Sequence, residues 1–388
     1  MKILQVVPSY PPKIGGVENH VFQLVSHLRA RGHSVDLLTS NLPPSTTSYS
    51  AYDIRLPVLF NASGKWGEIP ICPSIFSKLA TMRPDIVHVH TPPRFFAEST
   101  AFFFHFLSSN KIPVIVTYHL HNSSLKRLER SVWWLHNRTL QRFVFDVADK
   151  IVLCNSQEVN VLSREFGIKP DKIAVIPPGV DCDKFNPQKA KNNLLRQKGI
   201  AGDKIILFSG RINPVKGLNF LIEAFQTVSR TFKNSKLVIC GAETGNYKHE
   251  LKMLTNTLGL SSRVVFLDPV SAEDYPSLLA SCDIFVLPSM SESWPLSLAE
   301  ALSMEKPVIA TDVGGVKEIV QNNKTGLVIK PADTTALGDA LIQLLQNEGL
   351  AHRLGTNGRQ FALNNFNWAL LTSRFEDLYT SRIQNFKR

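Results

Sequence analysis

Lys2-Ile3-Leu4-Gln5-Val6-Val7-Pro8-Ser9-Tyr10-Pro11-Pro12-Lys13-Ile14-Gly15-Gly16-Val17 is the stretch that sets the fold. Ile3 to Val7 is short, apolar and β-branched, so it reads as a strand. Pro11, Pro12, Gly15 and Gly16 then mark a loop. From about Val17 the spacing becomes helical, with Val17, Val21, Leu24, Val25 and Leu28 along one face. Gly32 ends this helix, and Val35 to Leu38 makes the next strand. Strand, helix and strand in that order are one βαβ unit, which implies a parallel sheet with a crossover helix.

The same rhythm runs down the chain. Strands are expected at Ile86–Val89, Val114–Thr117, Ile151–Cys154 and Ala174–Ile176. A second series is expected at Ile205–Phe208, Leu237–Cys240, Val264–Leu267, Ile284–Leu287, Val308–Ala310 and Leu327–Ile329. Two successive arrays predict an α/β protein with two Rossmann-like, doubly wound domains, at residues 1–185 and 186–367. The joint is placed in Pro177-Pro178-Gly179 through Pro187, before a basic helix around Lys189 to Lys198. Trp368 to Phe386 reads as a final helix with Leu370, Leu371, Phe375 and Leu378 on one side. Open α/β sheets bind ligands at the carboxyl ends of their strands, so a cleft between two such domains is the expected site.

The 388 residues are 44% apolar, enough for two cores, and carry a formal net charge of +11. Such a balance favours an anionic partner: a nucleotide phosphate, an anionic lipid surface or nucleic acid. Cys72, Cys154, Cys182, Cys240 and Cys282 are scattered singly, which indicates neither a disulfide framework nor a zinc site. The apolar run after Met1 is too short for a signal peptide. Ala101 to Leu107, the most aromatic stretch, falls well below the roughly 18–20 residues of a membrane span. A cytoplasmic protein is expected.

The residues that carry chemistry follow two strands of the second series. After Ile284–Leu287 comes Pro288-Ser289-Met290-Ser291-Glu292-Ser293-Trp294-Pro295-Leu296-Ser297-Leu298-Ala299-Glu300. Pro295 suits a first helical turn. The amides of Leu296 and Ser297 then point at an anion. A carboxylate before the helix can accept from sugar hydroxyls, and one along it from a ribose diol. After Ile205–Phe208 comes Ser209-Gly210-Arg211-Ile212-Asn213-Pro214-Val215-Lys216-Gly217. Arg211 offers a fork and Lys216 a point charge to a diphosphate.

These motifs resemble the retaining, GT-B-fold glycosyltransferases of the large GT4 family. The family's Glu-x7-Glu hallmark is Glu292 to Glu300 here, opening Glu-Ser-Trp-Pro where relatives have Glu-Gly-Phe-Gly. Lys306 to Gly315 and the Gly-Arg…Lys-Gly segment at Gly210 to Gly217 match as well. So do Asn155-Ser156 and Gly179-Val180-Asp181. The resemblance implies that Glu292 binds the donor hexose, Glu300 the ribose, and Arg211 with Lys216 the diphosphate. It implies that the Gly15-Gly16 loop meets phosphate or acceptor, and that His119 in Thr117-Tyr118-His119-Leu120 faces the reacting carbon. Leu120 stands where many relatives have Asp. It also implies that the helix over 368–388 packs back on the first domain. Catalytic roles are thereby assigned to His119, Arg211, Lys216 and Glu292, and donor binding to Gly15, Gly16, Leu296, Ser297 and Glu300 beside them. The partners implied are a nucleotide-sugar donor and a sugar or lipid-linked acceptor. No cofactor and no metal is expected.

Other patterns point less sharply. His88 and His90 share a strand face, yet no third ligand is spaced in sequence to complete a metal site. Asp181-Cys182-Asp183 lies in the interdomain joint and reads as a structural turn. Lys126, Arg127, Arg130, Trp133, Trp134, Arg138 and Arg142 read either as a helix lying on an anionic membrane or as a core helix with a solvated basic face. Two rival functions share the architecture: a nucleotide-sugar epimerase, and a non-catalytic nucleotide- or lipid-binding descendant. A nucleic-acid binder is disfavoured, because the basic residues form no recognised module.

Overall fold

A computed structural model describes residues 1–13, 15–42, 51–61, 69–91, 95–119, 136–200, 204–243 and 245–386. The chain forms two compact units: Met1–Gly179 with Trp368–Arg388, and Val180–Asn367. The first boundary therefore falls six residues ahead of the one expected at 185. The cause is burial: Val180, Cys182 and Phe185 pack into the core of the second unit. Gly179 by contrast lies on the Trp368 ring, where an added Cβ would come within 2.6 Å of the indole.

The first unit carries β1 (Lys2–Val6), β2 (Ser34–Ser40), β3 (Asp53–Leu56), a small antiparallel pair β4 (Phe60–Asn61) and β5 (Pro70–Ile71), β6 (Ile86–Thr91), β7 (Val114–Tyr118), β8 (Lys150–Leu153) and β9 (Ile173–Val175). Seven of these form one parallel sheet in the order β3-β2-β1-β6-β7-β8-β9. Strand side chains alternate between faces. Ile3, Ile86, Ile115 and Val152 consequently enter one core with the helices Gly16–Ala30 and Trp368–Phe386. Leu4, Val6, Val87, Val89, Val114 and Ile151 enter the other, against Ile75–Thr81, Phe96–Phe102, Arg142–Val147 and Gln157–Phe166.

The second unit carries β10 (Lys204–Ser209), β11 (Ser235–Cys240), β12 (Val264–Leu267), β13 (Ile284–Leu287), β14 (Val308–Thr311) and β15 (Leu327–Ile329). They form a parallel sheet in the order β12-β11-β10-β13-β14-β15. The order reverses between β10 and β13, as it does between β1 and β6 in the first unit. Those reversals are the switch points at which doubly wound sheets bind ligands.

Two expectations change, and a third lies mostly outside the described residues. β3, β4 and β5 were not anticipated, because Asp53-Ile54-Arg55-Leu56 is too polar and the other two strands too short to give a pattern. The basic helix around Lys189 to Lys198 shrinks to Leu194–Gln197, where Leu194 and Leu195 bury. Of the basic and aromatic stretch, Lys126, Arg127, Arg130, Trp133 and Trp134 lie outside the described residues. Arg138 is exposed, and Arg142 pairs with Asp146 at 2.9 Å one helical turn on. No helix among the described residues is long and apolar enough to cross a membrane.

The final helix fills the first core with Trp368, Leu371, Phe375 and Tyr379. Leu371 is fully buried, whereas Leu370 is 42% exposed. Leu371→Ala should therefore lower the unfolding free energy by about 2–5 kcal/mol, and Leu370→Ala by less than about 0.5 kcal/mol. Urea unfolding of the two variants measures both, and equal losses would contradict this packing.

Candidate functional site

In the second unit, the loops that leave β10 and β13 flank the switch point. Gly210 to Gly217 leaves β10, and its middle is fastened by the Ile212 N–H donating to the Ala242 carbonyl at 2.8 Å. A single 3-10 turn over Pro214–Lys216 then presents Lys216. Pro288 to Pro295 leaves β13, and the Met290 N–H donates to the Val215 carbonyl at 2.7 Å, tying the two loops together.

Two glycines permit this approach. Gly217 has a φ of +62, and a Cβ there would sit 2.2 Å from the Pro288 carbonyl oxygen. Gly314, after β14, has a φ of +49, and a Cβ there would sit 1.7 Å from the Glu292 carbonyl oxygen. Both left-handed conformations favour glycine, and both approaches exclude any side chain. The Gly315 N–H adds a bond to the Ser293 carbonyl at 3.0 Å. Glu292 is thereby clamped from two sides by backbone.

Lys216 Nζ lies 2.6 Å from Glu292 Oε1, and the Ser289 hydroxyl donates to the same oxygen at 2.6 Å. The Thr311 hydroxyl holds Ser289 in turn through its carbonyl. The Lys216 and Glu292 side chains are only 15% and 10% exposed. At this depth the pair is weakly screened, and removal of one member strands the charge of the other. Ser289 gave no signal in the sequence beyond its place three residues before Glu292.

The remaining expected residues of this unit fall around that pair. Arg211 is exposed and starts the loop that ends at Lys216. The helix runs Leu296–Ser303, with Pro295 as its extended N-cap at ψ 95 rather than in its first turn. Leu296 and Ser297 are its first two residues, so their amides have no acceptor one turn back in the helix. Glu300 sits further along the same helix. Burial pushes its carboxyl up from 4.5 to about 7, opposed by the Lys184 ammonium. The Tyr275 phenol is raised by burial and by the charge of Glu300, and its ring meets Phe185 edge-on at 5.8 Å. Asp181 accepts from the Asp183 and Lys184 amides, so Asp181-Cys182-Asp183 is a hydrogen-bonded turn.

The first unit holds Gly15, Gly16 and His119. Gly15 is extended at φ −173, and a Cβ on it would meet the Glu18 carboxylate at 2.1 Å. Glu18 also accepts from the Ser9 hydroxyl at 2.7 Å, which pins the loop after β1 to the start of the helix. Gly16 has open space where a Cβ would project. Alternation and register place Gln5, His88, His90 and Thr117 on one sheet face, with Gln5 beside His88 and His90 beside Thr117. His90 Nε2 lies 2.8 Å from Gln5 Oε1. Gln5 Nε2 donates to the Tyr379 hydroxyl at 3.1 Å. That hydroxyl lies 2.6 Å from His88 Nδ1, and His88 Nε2 lies 2.7 Å from Thr117 Oγ1.

His119 follows β7 on the same face and stacks on His90 at 21° with ring centroids 5.7 Å apart. His20, from the helix Gly16–Ala30, is the third ring. Sequence spacing offers His88 and His90 no third ligand; the fold brings His20 and His119 to His90 from separate elements instead. His20 did carry a signal, as a polar residue on the apolar stripe of Val17, Val21 and Leu24. Burial lowers its pKa to about 4 and holds His88, His90 and His119 well below the usual histidine range.

Residues 190–361 match the family model described as glycosyl transferases group 1, and residues 14–184 match that of glycosyltransferase family 4. A D-inositol 3-phosphate glycosyltransferase of Corynebacterium diphtheriae is 27% identical, over 94% of this chain and 89% of its own length. A GDP-mannose-dependent alpha-(1-6)-phosphatidylinositol monomannoside mannosyltransferase of Mycobacterium tuberculosis is 29% identical, over 62% of this chain and 64% of its own. Several other curated relatives are matched over about three fifths of their length. Among solved structures, a glycosyltransferase from Rickettsia africae superposes with a TM-score of 0.80 at 22% identity, covering 99% of this chain and 98% of that one.

The Glu300 carboxyl supplies a test of the site's electrostatics. Folded, it holds its proton up to about pH 7; unfolded, it releases it near 4.5. The folded chain therefore binds more protons between those values and loses stability as pH rises through them. The loss is on the order of 3 kcal/mol. Thermal melts at pH 5 and pH 8 should show a smaller difference for Glu300→Gln than for the wild type, and an unchanged difference would contradict the burial of this carboxyl.

Proposed function

Because this chain belongs to the group 1, family 4 glycosyl transferases, we propose that it moves a hexosyl group from a nucleoside diphosphate sugar to a hydroxyl acceptor, with retention at the anomeric carbon. The observation that carries this reading is the Lys216–Glu292 contact of 2.6 Å at the switch point of the second sheet. A cation for the pyrophosphate and a carboxylate for the hexose are thereby presented side by side.

The reaction breaks the bond between the anomeric carbon and the diphosphate oxygen, and negative charge grows on that oxygen. Lys216, Arg211 and the amides of Leu296 and Ser297 meet the growing charge. Fixed donors stabilise it more in the transition state than in the ground state. Clamping by Gly217 and Gly314 means that little reorganisation accompanies the reaction. Glu292 holds sugar hydroxyls, and Glu300 takes the ribose diol. Gly15, Gly16 and His119 serve the acceptor and the reacting carbon. The acceptor hydroxyl gives its proton to the departing phosphate, so the chain needs no carboxylate nucleophile. The named relatives favour a phosphorylated or lipid-linked cyclitol as acceptor.

The test is nucleotide release from uridine- and guanosine-diphosphate hexoses with an inositol phosphate acceptor, with the product's anomeric configuration read by NMR. Lys216→Ala and Glu292→Ala should each lower kcat by roughly 100- to 1,000-fold. Near-normal turnover in both folded variants would remove the assignment. Donor converted to an epimer without any acceptor would favour the isomerase instead.

A further inference from the structure

The first unit contains a polar cluster of which the proposed hexosyl transfer uses His119 alone. His20 is 3% exposed, and among the described residues neither of its ring nitrogens has a hydrogen-bond partner. Its ring stands 5.3 Å from that of His119 and 5.8 Å from that of His90. With His90 and His119 5.7 Å apart, the three imidazoles form a nearly equilateral triangle. One nitrogen from each lies within 4.8 Å of the other two.

The surroundings set which nitrogen faces inward. Gln5 donates through Nε2 to Tyr379, so its Oε1 is the end that meets His90 Nε2. His90 must then carry its proton on Nε2 and present a lone pair at Nδ1. That Nδ1 lies 3.4 Å from His119 Nε2. An amide oxygen on the far nitrogen is the usual way a metal-ligating imidazole is oriented. Two nitrogens bound tetrahedrally at about 2.0–2.1 Å from one zinc ion are themselves about 3.3–3.4 Å apart. Trp368 and Phe375 wall the cluster at 5.4 and 6.2 Å from the His20 ring, which shields it from bulk water.

We propose that His20, His90 and His119 bind a divalent transition cation of the zinc class. Three neutral imidazoles without a carboxylate suit zinc, cobalt, nickel or copper and not magnesium or calcium. The three-histidine set leaves a fourth position for water, and His119 is the half-buried member through which the ion enters. An ion held there occupies the Nε2 lone pair of His119. If His119 serves the transfer reaction, as proposed above, zinc inhibits it.

The experiment uses the full chain without a polyhistidine tag, stripped with a chelator. It is titrated with Zn²⁺ by calorimetry and with Co²⁺ by visible absorption. One equivalent should bind, and cobalt should show the intense d–d bands of a tetrahedral site. His20→Ala should weaken binding at least tenfold; it should melt lower in chelator because a buried ring is removed, and its circular dichroism spectrum should stay that of the folded wild type. His27→Ala, on the same helix and stacked on Trp368, should bind as the wild type does. No stoichiometric binding, or unchanged binding by His20→Ala, overturns the site. Stoichiometric zinc that leaves hexosyl transfer unslowed supports the site and removes His119 from the reaction.

Discussion

A lysine and a glutamate held 2.6 Å apart at the ends of two neighbouring strands are the constraint around which the second unit is arranged. Neither residue can be brought there by its own loop. Lys216 arrives because Gly217 lets the turn after β10 lie against the Pro288 carbonyl. Glu292 stays because Gly314 lets the loop after β14 press on its own carbonyl. The parallel strand order makes those loops neighbours, and the glycines let their backbones touch. The charges then neutralise each other at a depth where either alone would be costly.

The arrangement makes chemical sense for a leaving pyrophosphate. A partly desolvated ammonium, an exposed guanidinium on the same loop and a helix start are donors of three kinds. Such donors act strongest where water is scarce and where they need not move. Glu300 has a different character. Its carboxyl is raised to about 7 by burial, so near neutral pH it carries a proton part of the time. A ribose diol that donates to it would draw that proton off and shift the group towards its charged form.

Much of this was legible in the chain. Alternating apolar runs and helical stripes located all six strands of the second sheet and six of the seven in the first. Glu292, Glu300, Arg211 and Lys216 stood out because each follows a strand that the pattern had already placed. What was not legible depended on tertiary approach. Asp53 to Leu56 pairs as an edge strand without an apolar signature. Ser289 matters only because Lys216 comes back to the same carboxylate oxygen. Gln5, His88, Tyr379, His90, His20 and His119 come from five separate elements or loops, and the register of two parallel strands brings three of them, Gln5, His88 and His90, together. Spacing along the sequence could show that His88 and His90 share a face, but not what lies above it.

The central claim is that Lys216 and Glu292 act as one device, and a double-mutant cycle on kcat/KM for nucleotide release addresses it directly. Lys216→Ala, Glu292→Ala and the double variant would be compared with the wild type. If the pair works as a unit, the double variant loses no more activity than the worse of the two single variants. Losses that multiply across the two positions would show that the residues act independently, and would contradict the account.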